Sequence, residues 1–490
     1  MKERIKIIDF KYKVAFFSFF FFLIISAISP ISGTDWGSYF SGKDGIKSCI
    51  DNIYINDGRI ISGFLANFLS YNKLIFDVVF SFLMSSFVLC CNNLMGYVKN
   101  KYYYLFPFLG TLLVSVFLFS YNYTSVTTTV IYTFPAIISF LYFEYIWKKE
   151  TSTFNLKEII ILGLISTYIS LSSIHISLVF LLGNVIYYTY STYKKKNFTK
   201  QYFLIIALQI IALIISLTNI EKPLLYDNLK VTLNQLPNYI DKIFSKNIVL
   251  IILGAIPINY YLNDKLRNWV YNRVVITLFD LILLFSLTYN FFNYSPVNLN
   301  LIINKYSGVF ATENWYYIFF FITYIVLFFL SIRQYIKELK TKKYIILLSI
   351  MSFAMSIFSI LSPIWDEGNV IFIVLFVILA VSILLKELEF AIYPKVLIGT
   401  MLILISYYFV SFLMIRYIDY TRGEYIQEQL DANTEIIEVK ANPIYLVWRY
   451  NPVNVFQQKD FKKYYNIPQN KHIKVRYFGI FEKIEKKVKE

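Results

Sequence analysis

Charge is scarce in this chain of 490 residues. Only 16% of its residues are Asp, Glu, Lys or Arg, against about 25% in an ordinary soluble domain. That deficit excludes a conventional soluble protein. Cysteine is nearly absent: Cys90 and Cys91 adjoin in an apolar segment and Cys49 has no obvious partner, which excludes a disulfide framework and a cysteine metal-ligand spacing. Two histidines, His175 and His472, are too few for a zinc site of the usual kind. Nucleotide-binding loops, a nucleophile elbow and a metalloprotease helix motif are all missing. Their absence argues against ATP-driven pumping and membrane proteolysis of the familiar types.

Hydrophobic residues are there instead. They make up 57% of the chain, with a mean hydropathy of +0.55, 47 Phe and 43 Tyr. Phe suits a lipid-facing surface, and Tyr suits the headgroup level, where an apolar ring keeps its hydroxyl wet. The composition is that of an all-α polytopic membrane protein. The net charge of +16 does not indicate nucleic acid, because the basic residues are scattered in short loops between apolar stretches. The basic start, Met1 to Lys13, runs into an apolar stretch too long for the core of a signal peptide, so an uncleaved first span is expected.

A span takes about 20 apolar residues. Thirteen candidates lie near 13–31, 74–95, 103–121, 125–147, 157–174, 176–192, 202–219, 248–262, 273–292, 315–332, 343–361, 369–385 and 392–414. With the N-terminus inside, the segments on that side hold about 24 of the 47 Lys and Arg, and the outer loops about 9. This is the asymmetry that the positive-inside rule demands. Two domains follow: a transmembrane domain, 1–414, and a small soluble C-terminal α/β domain, 415–490, placed outside by an odd number of spans. In that domain Glu435 to Lys440, Ile444 to Tyr450 and His472 to Phe478 read as strands, and Asp460 to Tyr465 as a helix. The first outer loop, 32–73, carries two amphipathic pieces, 44–55 and 59–70, and a later loop carries Leu224 to Phe244. All three read as helices lying in the membrane interface.

Acids on the outer side are few. Asp35, in Ser32-Gly33-Thr34-Asp35-Trp36-Gly37, follows the first span within about 18 Å of extended chain. A carboxylate there is either a general base for a hydroxyl or a loop residue capping a short helix. Asp57 and Arg59 open the second amphipathic piece. Arg59 either binds a phosphate bidentately beside helix amides or snorkels beyond a helix cap. Asp366 and Glu367, before the twelfth span, orient an acceptor, bind a cation, or simply end two helices. His175 sits among Ser170, Ser172, Ser173 and Ser177, where it donates to a sugar or phosphate or bonds a neighbouring hydroxyl. Glu144 is expected at the inner interface beside Lys148.

The layout resembles the GT-C superfamily of membrane glycosyltransferases. Within it, the chain looks like the bacterial serotype-converting glucosyltransferases and a neighbouring uncharacterised polytopic family. The residues that carry the resemblance are Ser29-Pro30, Asp35-Trp36, Asp57-Gly58-Arg59 and Ser362-Pro363. Two features depart from the pattern. Thr34-Asp35 stands where such families often pair two acids, and Asp366-Glu367-Gly368 stands where a basic residue is expected.

The resemblance implies a polyprenyl-phosphate-linked sugar donor, a glycan hydroxyl as acceptor on the outer side of a bacterial cytoplasmic membrane, and membrane lipid around both. Asp35 would be the general base of an inverting hexosyl transfer, and Asp57, Arg59, His175, Asp366 and Glu367 would contact substrate. No cofactor is called for, and a single carboxylate is a poor anchor for a divalent cation. The competing readings are a lipid-linked glycan flippase or transporter and a surface polysaccharide polymerase. A transporter calls for related halves or charges inside spans. A polymerase calls for long Arg-rich outer loops. Neither feature stands out here.

Overall fold

The computed structural model describes residues 2–31, 35–51, 59–114, 125–149, 154–194, 199–218, 248–294, 315–361, 370–440 and 455–476. The chain is a helical membrane protein. Among the described residues, eight helices are long and apolar enough to cross a bilayer, where the sequence suggests about thirteen spans.

The N-terminal part runs α1 (Lys2–Ile28), α2 (Asp35–Lys43), α3 (Ile46–Asp51), α4 (Ile60–Tyr71), α5 (Lys73–Met95) and α6 (Phe106–Leu112). It continues with α7 (Val126–Lys148), α8 (Leu156–Ser170), α9 (Ile174–Tyr193) and α10 (Thr199–Thr218). Then come α11 (Ile248–Lys265), α12 (Asn272–Tyr294), α13 (Trp315–Tyr335), α14 (Leu339–Leu361), α15 (Val370–Glu387) and α16 (Pro394–Asp431). The third candidate span holds α6, seven residues long, and its residues 115–121 lie outside the described parts. The fifth is α8, 15 residues long, or about 22 Å at 1.5 Å per residue, short of a hydrocarbon core about 30 Å thick.

Two helices are apolar all round and therefore sit inside. α7 and α15 are the most buried of the eight, and α15 packs against α5, α6, α7, α11, α13 and α14. Around them α1 lies on α5, α8 on α10, and α9 on α10 and α14. The outer faces carry Phe16, Leu74, Phe82, Leu164 and Ile403, all exposed. In water these would be a liability; against lipid they are the expected surface.

Polar groups inside the bundle are paired across helices. Asn184 donates to Gln209 Oε1 at 2.7 Å, Tyr202 donates to Asn184 Oδ1, and Tyr142 lies 3.3 Å from the Tyr202 hydroxyl. This line seams α7, α9 and α10, which apolar contact alone would not select in a lipid solvent.

Asp35 opens a helix, α2, and residues 32–34 before it lie outside the described residues. The piece 59–70 corresponds to α4, whose Ala66 and Leu69 enter the main core; Leu224 to Phe244 lies outside the described residues. α16 runs without a break through residue 414 to Asp431. It feeds a β–α–β unit of β1 (Ile436–Lys440), α17 (Val455–Tyr464) and β2 (His472–Arg476), with β1 and β2 parallel and Ile437 opposite Ile473. The strand expected at 444–450 is outside the described residues.

Candidate functional site

Asp35 is the first residue of α2 and is fully buried. Its carboxylate does not lie in solution. It sits on the N-terminus of α7, where three signals coincide. Ser125 has an extended backbone, its hydroxyl accepts from Thr128 N at 3.5 Å, and an apolar run follows, which makes Ser125 the N-cap of α7. The first amides of that helix have no partner within it. Asp35 supplies one: Val126 N donates to Oδ2 at 3.0 Å, Thr127 N donates to Oδ1 at 2.8 Å, and Ser125 Oγ donates to Oδ1 at 3.2 Å. Beside it Ser38 Oγ and Thr127 Oγ1 are 3.2 Å apart.

Two effects oppose each other on this carboxyl. Burial raises its pKa above the ordinary aspartate value, while the amides of Thr127 and Val126 and the hydroxyls of Thr127 and Ser125 pull it down. Burial is the larger. A carboxyl whose proton is held more tightly than in water is a stronger base once ionised, so its basicity suits acid–base work. Its access does not, because both oxygens are engaged.

One turn further on, α7 changes pitch. Thr129–Thr133 form a π-helical turn, a distortion frequent at functional sites. It presents Tyr132, over whose ring the Arg59 guanidinium stands at 5.3 Å, within cation–π range. Arg59 immediately precedes α4, and α4 packs against α2 and against the start of α7. The beginning of α4 is also sewn to the turn before α9. Ile61 N donates to Leu171 O at 3.1 Å, and Ser62 Oγ donates to Ser172 O at 2.7 Å. His175 follows in the first turn of α9 and is 5% exposed.

Asp35, Arg59 and the His175 turn therefore belong to one junction of α2, α4, α7 and α9. The helices and turns that meet there carry buried hydroxyls: Ser38, Ser62, Ser125, Thr127, Thr128, Thr129, Thr133, Ser172 and Ser173. Asp57, Asp366 and Glu367 lie outside the described residues. Glu144 pairs with Lys148 one turn away near the end of α7, as the spacing suggests.

A second buried carboxylate lies close by. Asp77, on α5, takes the hydroxyl of Ser26 at 2.5 Å and an ion pair with Lys73, whose ammonium also donates to Ser26 O at 2.6 Å. The Lys73/Asp77 spacing of four marks a helical ion pair in the sequence; the bond to Ser26 on α1 does not show there. The Ser125 cap is legible in the same way, as a serine ahead of an apolar run. Nothing in the sequence pairs it with Asp35.

An apolar cavity of about 410 Å³ opens between α11, α13, α14 and α15, lined by Ile251, Tyr324, Phe328, Phe353, Ile373 and Phe376 among others. This is within the size range of ligand pockets. α15 borders it on one side and touches the π turn of α7 on the other. Among the described residues no three His, Cys, Asp or Glu side chains converge as a metal site would require. No family model, no curated protein and no solved structure matches this chain.

Proposed function

We propose that the protein is an integral-membrane glycosyltransferase. In this reading it moves a sugar from a polyprenyl-phosphate-linked donor to a glycan hydroxyl on the outer side of a bacterial cytoplasmic membrane. The observation that carries the reading is the buried carboxylate of Asp35, set against the N-terminus of α7 with the hydroxyls of Ser125 and Thr127 on it and that of Ser38 beside them. These hydroxyls are donors and acceptors of the kind sugars bond to, and the carboxyl's raised pKa favours proton uptake.

The roles follow from the chemistry. Asp35 takes the proton of the acceptor hydroxyl as that oxygen attacks the anomeric carbon from the face opposite the phosphate. The carbon–oxygen bond to the donor phosphate breaks, the configuration inverts, and the charge stays on the leaving phosphate. Arg59, beside Tyr132, and the turn leading to His175 offer cationic and neutral donors for that charge. The apolar cavity beside α15 suits an isoprenoid chain: it has almost no polar lining, so water gains little by filling it. Asp57, Asp366 and Glu367 complete the proposed contacts, and no metal is required by the step. The finer topology belongs to the same proposal: about thirteen spans, the N-terminus inside and a C-terminal α/β domain outside.

The test is Asp35→Asn in purified protein supplied with a panel of polyprenyl-phosphate hexoses and membrane glycan. Transfer should drop at least a thousandfold while the variant stays monodisperse and helical. Transfer at the wild-type rate removes Asp35 as the base.

A further inference from the structure

α2 is gripped by two bodies at once. Its C-terminal half rests on α4, where a Cβ on Gly42 would stand 2.3 Å from the Asn67 carbonyl oxygen. Only glycine permits that approach. Its N-terminal half belongs to the C-terminal unit. Trp36 is buried in a small core with Ile426, Ile437, Val439, Phe461 and Ile467, separate from the main core of the bundle. The Phe461 ring meets Trp36 edge-on at 5.0 Å, and Tyr464 lies 5.8 Å from Tyr39. Lys463 Nζ stands 4.1 Å above the Phe40 ring. Close approach is again secured by a glycine: a Cβ on Gly37 would be 3.0 Å from Asp460 Oδ2.

Asp35 is thus the stitch between the two bodies. Its side chain is tied to α7, and the next residue in the chain is packed into the C-terminal unit. With the carboxylate enclosed and both oxygens engaged, no acceptor hydroxyl can come within hydrogen-bond reach of it. Something has to move, and the smaller of the two cores is the one that opens at lower free energy, since it buries fewer apolar groups.

We propose that the C-terminal β–α–β unit is a lid on Asp35. Lifting α17 off Trp36 and Tyr39 lets α2 draw the carboxylate away from the α7 amides and opens it to a hydroxyl-bearing substrate. As a regulation of that same site, this rests on Asp35 being the base.

The lid can be locked. Gly37→Cys with Asp460→Cys places two thiols across the contact, and the Gly37 Cβ position is 3.6 Å from the present Asp460 Cγ. The readout is hydrogen–deuterium exchange at the amides of Val126 and Thr127, which report directly on their bonds to Asp35. Oxidising the lock should slow this exchange at least tenfold relative to the reduced form of the same protein. Phe461→Ala, without the lock, should quicken it at least tenfold. Transfer should stop in the oxidised form and return on reduction. Equal exchange in the oxidised and reduced forms overturns the lid, and so does full transfer in the oxidised form. Exchange that responds to the lock while Asp35→Asn still transfers upholds the motion and overturns the base assignment instead, so the two failures are distinguishable.

Discussion

Asp35 and Asp77 are both buried carboxylates, yet they are satisfied by opposite means. Asp77 faces a full positive charge, the ammonium of Lys73, with Ser26 closing the group. Asp35 accepts instead from partial charges: two backbone amides at the head of α7 and the hydroxyls of Ser125 and Thr127. An ion pair in a low-dielectric setting is costly to break, because the abandoned partner stays charged and buried. A helix terminus is more forgiving, since its amides bond to a neutral acceptor or to water when the carboxylate leaves. The contrast assigns the two groups different work. Asp77 holds α1 to α5, whereas Asp35 sits where a carboxylate can come and go.

The largest effect should fall on Asp77. Asp77→Asn leaves Lys73 unpaired and should lower stability by about 3–5 kcal/mol, read as an earlier thermal transition in detergent. Adding Lys73→Met should restore most of that loss. A single variant that melts with the wild type would mean that the pair is not held as described.

Asp35→Asn should cost less in folding, about 1–3 kcal/mol, because the amide oxygen still accepts while its NH₂ faces the helix amides. The two proteins should also diverge with pH. Burial raises the Asp35 pKa, so between the unfolded value near 3.9 and the higher folded value the native state binds more protons than the unfolded one. The stability linked to that proton is complete below about pH 4 and is lost as pH rises through the folded value. Wild-type stability should therefore fall relative to Asp35→Asn on going from acid toward neutral pH. Parallel pH–stability curves would sink the point.

The smallest change is expected at Ser125. Ser125→Ala removes the α7 cap and one of the Asp35 donors, for about 1 kcal/mol, with exchange at Val126 and Thr127 rising a few-fold. Exchange that stays at the wild-type rate would show that the carboxylate alone holds that helix end.

Much of this architecture is legible along the chain. Where the hydrophobic runs are long, as at 74–95 and 369–385, helices α5 and α15 follow, because a bilayer leaves an isolated segment no other way to satisfy its backbone. The Glu144/Lys148 pair, the amphipathic start of α4 and the β-rich stretches at 436–440 and 472–476 are also local patterns, and they appear where their spacing puts them. Asp35 is harder. Its scarcity and position single it out, but the same letters suit a solvated turn, and it is buried against the start of a helix that begins 91 residues later.

Residue chemistry and spacing decide which segments become helices, since those preferences are settled within a turn or two of the chain. The enclosure of Asp35 by Val126 and Thr127, the seating of Trp36 against Phe461 and the joining of Arg59 to the turn before His175 were decided by packing alone. Each of these contacts joins groups far apart in sequence, and no local preference encodes a partner that only the folded bundle brings within reach.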